Sequence, residues 1–352
     1  MNIEFIEALE QIGKEKGITT DILLEAIEAA LISAYKKNYG TSQNVRVNID
    51  RDTGEVKVFT LKNVVENVEN DLLEISPEEA KKYNPSCRIN DIVEIEVTPK
   101  KFGRIAAQTA KQVVVQRIRE AERDVIYEEF SGRESDIVTG VIQRIDKKIV
   151  YIDLGKIEAI LMPAEQTIGE EYTQGKRIKT YILEVRKTTK GPQIYVSRTH
   201  PGLVKRLFEL EVPEIHDGVV EIKAIARESG SRTKIAVHSR DENVDPVGSC
   251  VGPKGIRVQA VVEELSGEKI DIIKWSKDYE QYIANSLSPA KVVSVNINEA
   301  EKIANVVVDD HQLSLAIGKE GQNARLAAKL TGWKIDIKST SQLEKMNEGG
   351  LI

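Results

Sequence analysis

Apolar and polar positions change their spacing several times along residues 1–132. Apolar residues recur every three or four positions over 3–13 and again after Thr20, which predicts two helices. Strict alternation replaces this period over 45–58, around a turn at 52–54, and predicts a β-hairpin. A further alternating segment at 93–97 predicts a strand. The first part of the chain should therefore be a mixed α/β domain.

A long helical pattern then runs from Arg104 to about Phe130. The face expected to pack on the preceding sheet consists of Ile105, Ala106, Thr109, Val113, Gln116 and Ile118. Ser131-Gly132 interrupts this pattern and sets the first expected domain boundary at residue 132.

Residues 133–200 contain five short alternating segments separated by glycines. They lie at 137–142, 149–154, 159–162, 177–185 and 193–197. Five strands in so short a segment predict a small closed barrel, because closure removes unpaired sheet edges. An OB-type fold is expected, and barrels of this type commonly bind single-stranded nucleic acid. The spacing alone also fits other small β barrels.

The sequence after residue 200 repeats one pattern twice. VGPKG at 251–255 precedes IRVQAVVEELSGEKIDII, and IGKEG at 317–321 precedes QNARLAAKLTGWKIDIK. Each copy, over 201–276 and 277–340, is predicted as a helix, two strands, a short helix, G-x-x-G, a helix and a strand. This order resembles the KH module in its bacterial topology. The expected fold class is a multidomain α+β chain, with an N-terminal α/β domain, an OB-fold barrel and two tandem bacterial-type KH domains.

The two G-x-x-G loops are the candidate RNA-binding sites. Glycines let a sugar-phosphate backbone approach the main chain, and the following helix directs amide donors toward the phosphate. The expected contacts are Gly252, Pro253, Lys254, Gly255 and Arg257 in the first copy, and Gly318, Lys319, Glu320, Gly321, Asn323 and Arg325 in the second. The Glu320 carboxylate opposes a phosphate, so the second loop should bind more weakly. The alternative is that the glycines only form a tight turn between helices.

Charge is distributed unevenly along the 352 residues. The chain has 50 Lys and Arg against 56 Asp and Glu, a net charge of −6, and the whole deficit lies in residues 1–130. Residues 176–190 carry six Lys or Arg and one Glu, an excess able to follow a phosphate backbone. Arg186 and Lys187 are therefore further candidates for RNA binding, with a solvated strand pair as the alternative.

The remaining composition argues against several classes of protein. Cys87 and Cys250 lie far apart, the four histidines are scattered, and no nucleotide-binding or hydrolase motif is present. We therefore expect no metal, no cofactor and no enzymatic activity. The acidic amphipathic start and the lack of any long apolar run predict a cytoplasmic protein without a membrane partner.

Several segments are specific enough to indicate a family. FGRIAAQTAKQVVVQRIREAER at 102–123, DPVGSCVGPKG at 245–255 and IGKEGQNARLAAKLTGWKIDI at 317–337 resemble the NusA family of bacterial transcription elongation, termination and antitermination factors. The resemblance implies a monomer whose domain 1–132 binds core RNA polymerase near its RNA exit channel. It implies an S1-type barrel, single-stranded nascent RNA as ligand and other elongation factors as partners.

The resemblance also bears on one edge of the N-terminal domain and on the end of the sequence. Lys36, Lys37, Arg104 and Lys111 match basic positions of the family and are expected to face the emerging RNA; ordinary solvated helix-end charges are an equal alternative. Residues 341–352 are expected to form a flexible tail without the acidic repeats of longer relatives.

Two rival functions share some of these features. A phosphorolytic exoribonuclease also carries KH and OB modules, but in the reverse order and with large catalytic domains for which residues 1–130 have no room. An RNA-binding protein without a polymerase partner stays open, because the RNA-binding modules alone do not exclude it.

Overall fold

The computed structural model describes residues 3–39 and 44–349, and it divides the chain into two compact units, Met1–Ile126 and Tyr127–Ile352. The elements that begin in the first unit are α1 (Ile3–Lys16), α2 (Thr20–Tyr39), β1 (Val45–Ile49), β2 (Val56–Val64), β3 (Glu74–Ile75), α3 (Pro77–Ala80), β4 (Ile92–Glu96) and α4 (Phe102–Ser131). Strand β2 is central, with β1 and β4 antiparallel to it and β3 parallel. The predicted mixed α/β domain is confirmed.

The buried face of α4 differs from the predicted one. Phe102, Ala106, Ala110 and Val114 are buried at a spacing of four residues, whereas Gln116 is exposed. The larger residues Ile105, Val113 and Ile118 only flank the same core. The predicted face included Ala106, which is buried, but not Phe102, Ala110 or Val114. The two alanines of the buried stripe let the helix lie close to its neighbours.

The second unit begins with the barrel. Its strands are β5 (Ile137–Asp146), β6 (Ile149–Asp153), β7 (Glu158–Leu161), β8 (Arg177–Thr188) and β9 (Gly191–Ser197), closed in the order β5-β6-β7-β9-β8. The predicted closed barrel is confirmed. Gly140 is needed in β5, because a Cβ there would lie 2.4 Å from the Ile152 side chain and 2.7 Å from the Asp153 carbonyl oxygen.

Two modules of the same topology follow the barrel. The first, KH1, contains α5 (Pro201–Glu211), α6 (Pro213–His216), β10 (Val220–Glu228), β11 (Arg232–Ser239), α7 (Pro246–Val251), α8 (Ile256–Glu264) and β12 (Lys269–Lys274). The second, KH2, contains α9 (Tyr279–Ser286), β13 (Val292–Asn298), β14 (Ile303–Val308), α10 (Leu313–Ile317), α11 (Gln322–Thr331) and β15 (Lys334–Ser339). In each sheet the first two strands are antiparallel and the last two parallel. The predicted element order is confirmed in both copies.

Buried contacts join the barrel to KH1. Arg198, just after β9, is 1% exposed and donates to the Glu170 carboxylate and to the Glu264 carbonyl oxygen on α8. The β10–β11 turn approaches the barrel so closely that a Cβ on Gly230 would lie 2.5 Å from the Ile168 carbonyl oxygen. The barrel and KH1 are therefore packed together and not merely linked in sequence.

A second buried contact joins KH1 to KH2. Helix α11 packs through Leu326 and Leu330 on the outer face of the KH1 sheet, against Ala226, Ala236 and Ile273. The fully buried Lys234 donates to Asp271 of its own sheet (2.9 Å) and to the Ser288 carbonyl oxygen of KH2 (2.7 Å). Small alanines on this sheet face allow the next module to approach, so barrel, KH1 and KH2 form one continuous body.

The segment expected as a tail has regular structure up to residue 349. Helix α12 covers Thr340–Gly349 where a flexible tail was expected. Ser339 and Gln342 form a reciprocal cap, the Gln342 amide donating to Ser339 Oγ (3.3 Å) and the Ser339 amide to Gln342 Oε1 (3.1 Å). This is the S-x-x-Q pattern of a capping box, which the sequence reading missed.

Candidate nucleic-acid interface

The two G-x-x-G loops adopt the same backbone conformation. Their first glycines have φ/ψ of 74°/173° and 78°/171°, the third residues 54°/22° and 52°/27°, and the last glycines 80°/10° and 74°/14°. Lys254 and Glu320 thus lie in the left-handed region, which few non-glycine residues adopt. Two loops with different central residues sharing one strained geometry indicate a conformation required at both positions.

The first and last glycines of each loop have different structural roles. A Cβ on Gly252 would lie 2.7 Å from Cγ of Arg257, and one on Gly318 would lie 2.7 Å from the Asn323 nitrogen. A Cβ on Gly255 would meet no atom within 4 Å, and one on Gly321 only the Arg325 guanidinium at 4.0 Å. The first glycines are therefore required by internal packing, while the last glycines border open space that a ligand can enter.

Arg257 and Asn323, expected as RNA contacts, are engaged inside their own modules. Arg257 Nη1 donates to the Ser249 carbonyl oxygen (2.7 Å) and to Glu214 (2.9 Å). Asn323 is 3% exposed, and its amide donates to the carbonyl oxygens of Leu287 (2.9 Å), Ala316 (3.0 Å) and Leu315 (3.3 Å). Arg257 is thus held through Nη1 by two acceptors of its own module, and the buried Asn323 has no donor left for a ligand.

Arg325 connects the second loop to KH1. Its guanidinium donates to both oxygens of Glu228 on β10 (2.6 and 3.2 Å) and to the Glu320 carbonyl oxygen (3.0 Å). The hydrogen bond from Arg325 is the main reason that the pKa of Glu228 is lowered. Gln322 donates to the same carboxylate (2.9 Å). The second loop is consequently fixed against the first module.

The loop lysines remain available to a ligand. Lys254 and Lys319 are exposed, and within the described residues neither side chain makes an ion pair or hydrogen bond. The exposed Glu320 side chain lies next to Lys319 in the second loop. The two loops therefore offer the same main-chain geometry with different net charge.

On the barrel, the two predicted basic residues are exposed but not free. Arg186 pairs with Glu184 (2.5 Å), and its guanidinium lies 5.0 Å from the ring centre of Tyr195. The Lys187 ammonium lies 5.6 Å from the Tyr127 ring centre. The hydrogen bond that Arg186 donates to Glu184 raises the pKa of this arginine above its usual value, so the guanidinium stays charged.

An aromatic row on the outside of the barrel was missed in the sequence. Strand register places Arg144, Tyr151, Ile160 and Tyr195 side by side on four strands. The Arg144 guanidinium lies 3.5 Å from the centre of the Tyr151 ring. Half-buried rings beside guanidinium groups can stack bases and contact phosphates. The signal was the outward position of each Tyr in a predicted strand, but only the register across the barrel aligns them.

In the first unit, α2 and α4 bring three of the four predicted basic residues to one end. The Phe102 ring packs edge-on against Tyr35, with centres 5.7 Å apart, which joins the last turn of α2 to the first turn of α4. Lys36 and Lys37 follow Tyr35 directly, and Arg104 lies two residues beyond Phe102.

Lys111 lies elsewhere on the same helix. It is seven residues beyond Arg104, about 10 Å further along α4. Within the described residues none of Lys36, Lys37, Arg104 or Lys111 makes an ion pair.

Other kinds of site are not indicated. Across residues 3–39 and 44–349, no group of three or more His, Cys, Asp or Glu side chains is arranged to hold a metal ion. Within the same ranges, no helix has the length and apolar character needed to span a membrane. Burial raises the pKa of the Cys250 thiol to about 12, so this thiol stays protonated and unreactive near neutral pH.

The barrel and the paired loops define a multidomain protein built from S1 and KH modules behind an N-terminal α/β domain. The family models that match the chain are the NusA N-terminal domain (residues 4–124), the S1 RNA binding domain (133–197) and the NusA-like first and second KH domains (198–275 and 279–345). The chain belongs to the NusA family, which confirms the resemblance seen in the sequence.

Two relatives of similar length agree with this assignment. Transcription termination/antitermination protein NusA of Halalkalibacterium halodurans is 63% identical over 346 residues, covering 98% of this chain and 91% of the relative. The protein of the same name from Bacillus subtilis is also 63% identical, with 98% and 93% covered. The solution structure of the N-terminal domain of NUSA from B. subtilis covers 35% of this chain and 99% of that chain, at 60% identity and a TM-score of 0.33.

Proposed function

We propose that this chain is a transcription elongation factor that binds single-stranded nascent RNA and core RNA polymerase, and thereby modulates pausing, hairpin-dependent termination and antitermination. The observation that carries the RNA part is the repeated loop geometry, present twice in one continuous body. The names of the relatives, transcription termination/antitermination proteins, support the transcriptional role.

The two loops bind the sugar-phosphate backbone. Each presents a left-handed corner, an open last glycine and an exposed lysine. A phosphate at this corner meets main-chain amides and the lysine charge, and the last glycine presents no side chain to block its approach. Because the modules are held together by buried contacts, RNA bound at one loop is presented to the next, and weak individual contacts add up.

The barrel contributes base stacking beside the loops. The row of Tyr151 and Tyr195 with Arg144 and Arg186 supplies flat rings and guanidinium groups on one outer face. Each guanidinium is also paired with a glutamate, Glu158 or Glu184. Stacking tolerates any base, which suits a protein that follows emerging RNA of changing sequence.

The first unit serves as the polymerase-binding part. It carries 18 Lys and Arg against 22 Asp and Glu, a net negative charge that disfavours RNA over most of its surface and favours a protein partner. Lys36, Lys37 and Arg104 form a local positive end that suits RNA leaving the polymerase. A bound monomer is sufficient for this arrangement.

The RNA-binding proposal is tested by reversing the loop charges. Aspartate on the first glycines is unsuitable, because a side chain there collides with Arg257 or with the Asn323 backbone. Lys254→Asp with Lys319→Asp leaves that packing untouched. Losing two charge-assisted contacts at about 1.5 kcal/mol each predicts about 100-fold weaker binding of a single-stranded RNA.

The control carries the same charge change in the other unit. Lys81→Asp with Lys82→Asp alters two exposed lysines of the first unit and should leave RNA affinity within about twofold. Equal affinity of the loop variant and the unsubstituted chain, measured at the same salt concentration, refutes the RNA proposal.

The polymerase proposal is tested by co-purification. Core RNA polymerase should be retained by the full chain and not by residues 127–352, which form the second compact unit. Equal retention by residues 127–352 contradicts this proposal and favours an RNA-binding protein without a polymerase partner.

A further inference from the structure

Arg257 and Asn323 occupy the same position in the two KH modules. Each lies five residues after the first glycine of its loop, in the first turn of the helix that follows, and each contacts that glycine. The residue types share neither charge nor length, so the equivalence is not visible from their chemistry.

Both side chains donate a hydrogen bond to the same main-chain carbonyl. Arg257 donates to Ser249 (2.7 Å) and Asn323 to Leu315 (3.3 Å), and each of these acceptors lies three residues before the first glycine of its loop. The acceptors belong to the short helices α7 and α10, whose last carbonyls lack partners within the helix. In both modules one donor thus ties the helix before the loop to the helix after it.

The donor, and not the charge, is the shared property. Asn323 is neutral, and its Oδ1 accepts no hydrogen bond within the described residues, so its contribution lies in the amide protons. Arg257 adds an ion pair with Glu214 of α6 that has no counterpart at Asn323. The common function is therefore met by either residue.

We propose that Arg257 and Asn323 are positioning residues that hold each G-x-x-G loop in its phosphate-receptive conformation without themselves contacting RNA. The loop needs such support, because Lys254 and Glu320 sit in the left-handed region, which costs about 1 kcal/mol or more per residue. Without the tie between the flanking helices, the corner can relax. This inference rests on the proposed function only for its RNA readout.

Two substitutions of Arg257 distinguish the effect of its hydrogen-bond donor from the effect of its charge. Arg257→Asn keeps a donor and removes the charge, as in the second module. Arg257→Met keeps the stem that packs on Gly252 and removes the donor. If the receptive conformation falls to about one fifth of the population, Arg257→Met binds single-stranded RNA about fivefold more weakly, and Arg257→Asn stays within about twofold of the unsubstituted chain.

The salt dependence of binding distinguishes positioning from a phosphate contact. Removing one phosphate contact lowers the slope of log K against log salt by about 0.7 for a single strand. Lys254→Gln should show this change, whereas neither Arg257 variant should. If Arg257→Asn loses as much affinity as Arg257→Met, and both lower the slope, Arg257 contacts the phosphate directly and the inference is wrong.

Hydrogen exchange provides a readout that needs no RNA. The amides of Gly252 and Gly255 donate to the carbonyl oxygens of Gly248 (2.9 Å) and Gly252 (3.1 Å) within the loop. Their exchange should accelerate in Arg257→Met and not in Arg257→Asn, with unchanged exchange in the β11 core as proof of folding. Unchanged hydrogen exchange in the loop of Arg257→Met overturns the inference. A different result, unaltered RNA affinity and unaltered salt dependence in Lys254→Gln, counts instead against RNA binding at this loop.

Discussion

Replacing Arg198 with methionine removes the buried charge at the junction of barrel and KH1. The guanidinium makes five hydrogen bonds, two to the Glu170 carboxylate, one to the carboxylate and one to the carbonyl oxygen of Glu264, and one to the Lys179 carbonyl oxygen. Methionine fills most of the stem volume but donates nothing, so Glu170, which is 1% exposed, loses its closest cation. It is left with Lys176 at 3.9 Å and with the hydroxyl groups of Tyr172 and Ser266. Breaking such a pair from one side costs about 3–5 kcal/mol, and we expect this loss in the free energy of unfolding of the second unit.

The loss of stability in Arg198→Met should also depend on pH. Burial alone would raise the pKa of Glu170, but the hydrogen bonds and charge of Arg198 outweigh it and hold this pKa below its usual value. The stabilisation is therefore present above the unfolded-state pKa of about 4.3 and is lost as the pH falls through the folded pKa. In Arg198→Met the largest influence, burial, is opposed only by the hydrogen bonds from Tyr172 and Ser266, so the pKa of Glu170 rises. The penalty of burying the carboxylate disappears once it is protonated at low pH. The difference between the two proteins should shrink as the pH falls.

Denaturant unfolding followed by tryptophan fluorescence measures both effects, because Trp275 and Trp333 lie in the second unit. Arg177→Met, at an exposed arginine of β8, is the matched control and should change the free energy of unfolding by no more than about 0.5 kcal/mol. A loss below about 1 kcal/mol for Arg198→Met at pH 7, or a gap that widens as the pH falls, refutes the reasoning.

Three further substitutions have defined outcomes. Tyr151→Leu keeps volume and removes the stacking face, so affinity for single-stranded RNA in an anisotropy titration should fall about tenfold, and unchanged affinity counts against the barrel face. Glu320→Gln removes a negative charge from the second loop and should tighten RNA binding about twofold at low salt but not at high salt; weaker binding contradicts the charge argument. Ser339→Ala removes the acceptor for the Gln342 amide and should cost α12 about 1 kcal/mol, seen as faster hydrogen exchange over 340–344; unchanged exchange excludes the cap as its support.

The element order of the second unit was predictable because each cue is local. Alternation and glycines specify the five barrel strands, and the repeat specifies both KH modules through two copies of one pattern. The same local cues identify the loops at Gly252 and Gly318, since a G-x-x-G between helices needs no knowledge of distant contacts.

The roles of individual side chains depend on partners far away in sequence. Arg257 is typical of a phosphate contact by type and position, but Glu214, which pairs with it, lies 43 residues earlier. Arg325 is engaged by Glu228, 97 residues away and in the other module. No local pattern contains this information, so residue type alone does not reveal that Arg257 and Asn323 are engaged inside their own modules.

The predicted packing face of α4 was partly wrong for a related reason. Helical spacing identifies several possible faces, and the choice among them depends on how closely the neighbouring elements approach. Ala106, which was on the predicted face, is buried together with Ala110, which was not, because small side chains permit close packing, whereas Gln116 on the predicted face is exposed.

Crosslinking of nascent RNA in a paused transcription complex tests the central claim most directly. With photoreactive nucleotides along the emerging transcript, mass spectrometry should place crosslinks beside both loops, at 252–255 and 318–321, and reversal of Lys254 and Lys319 to aspartate should abolish them. Crosslinks confined to the barrel or to the first unit, with none near either loop, would contradict the account.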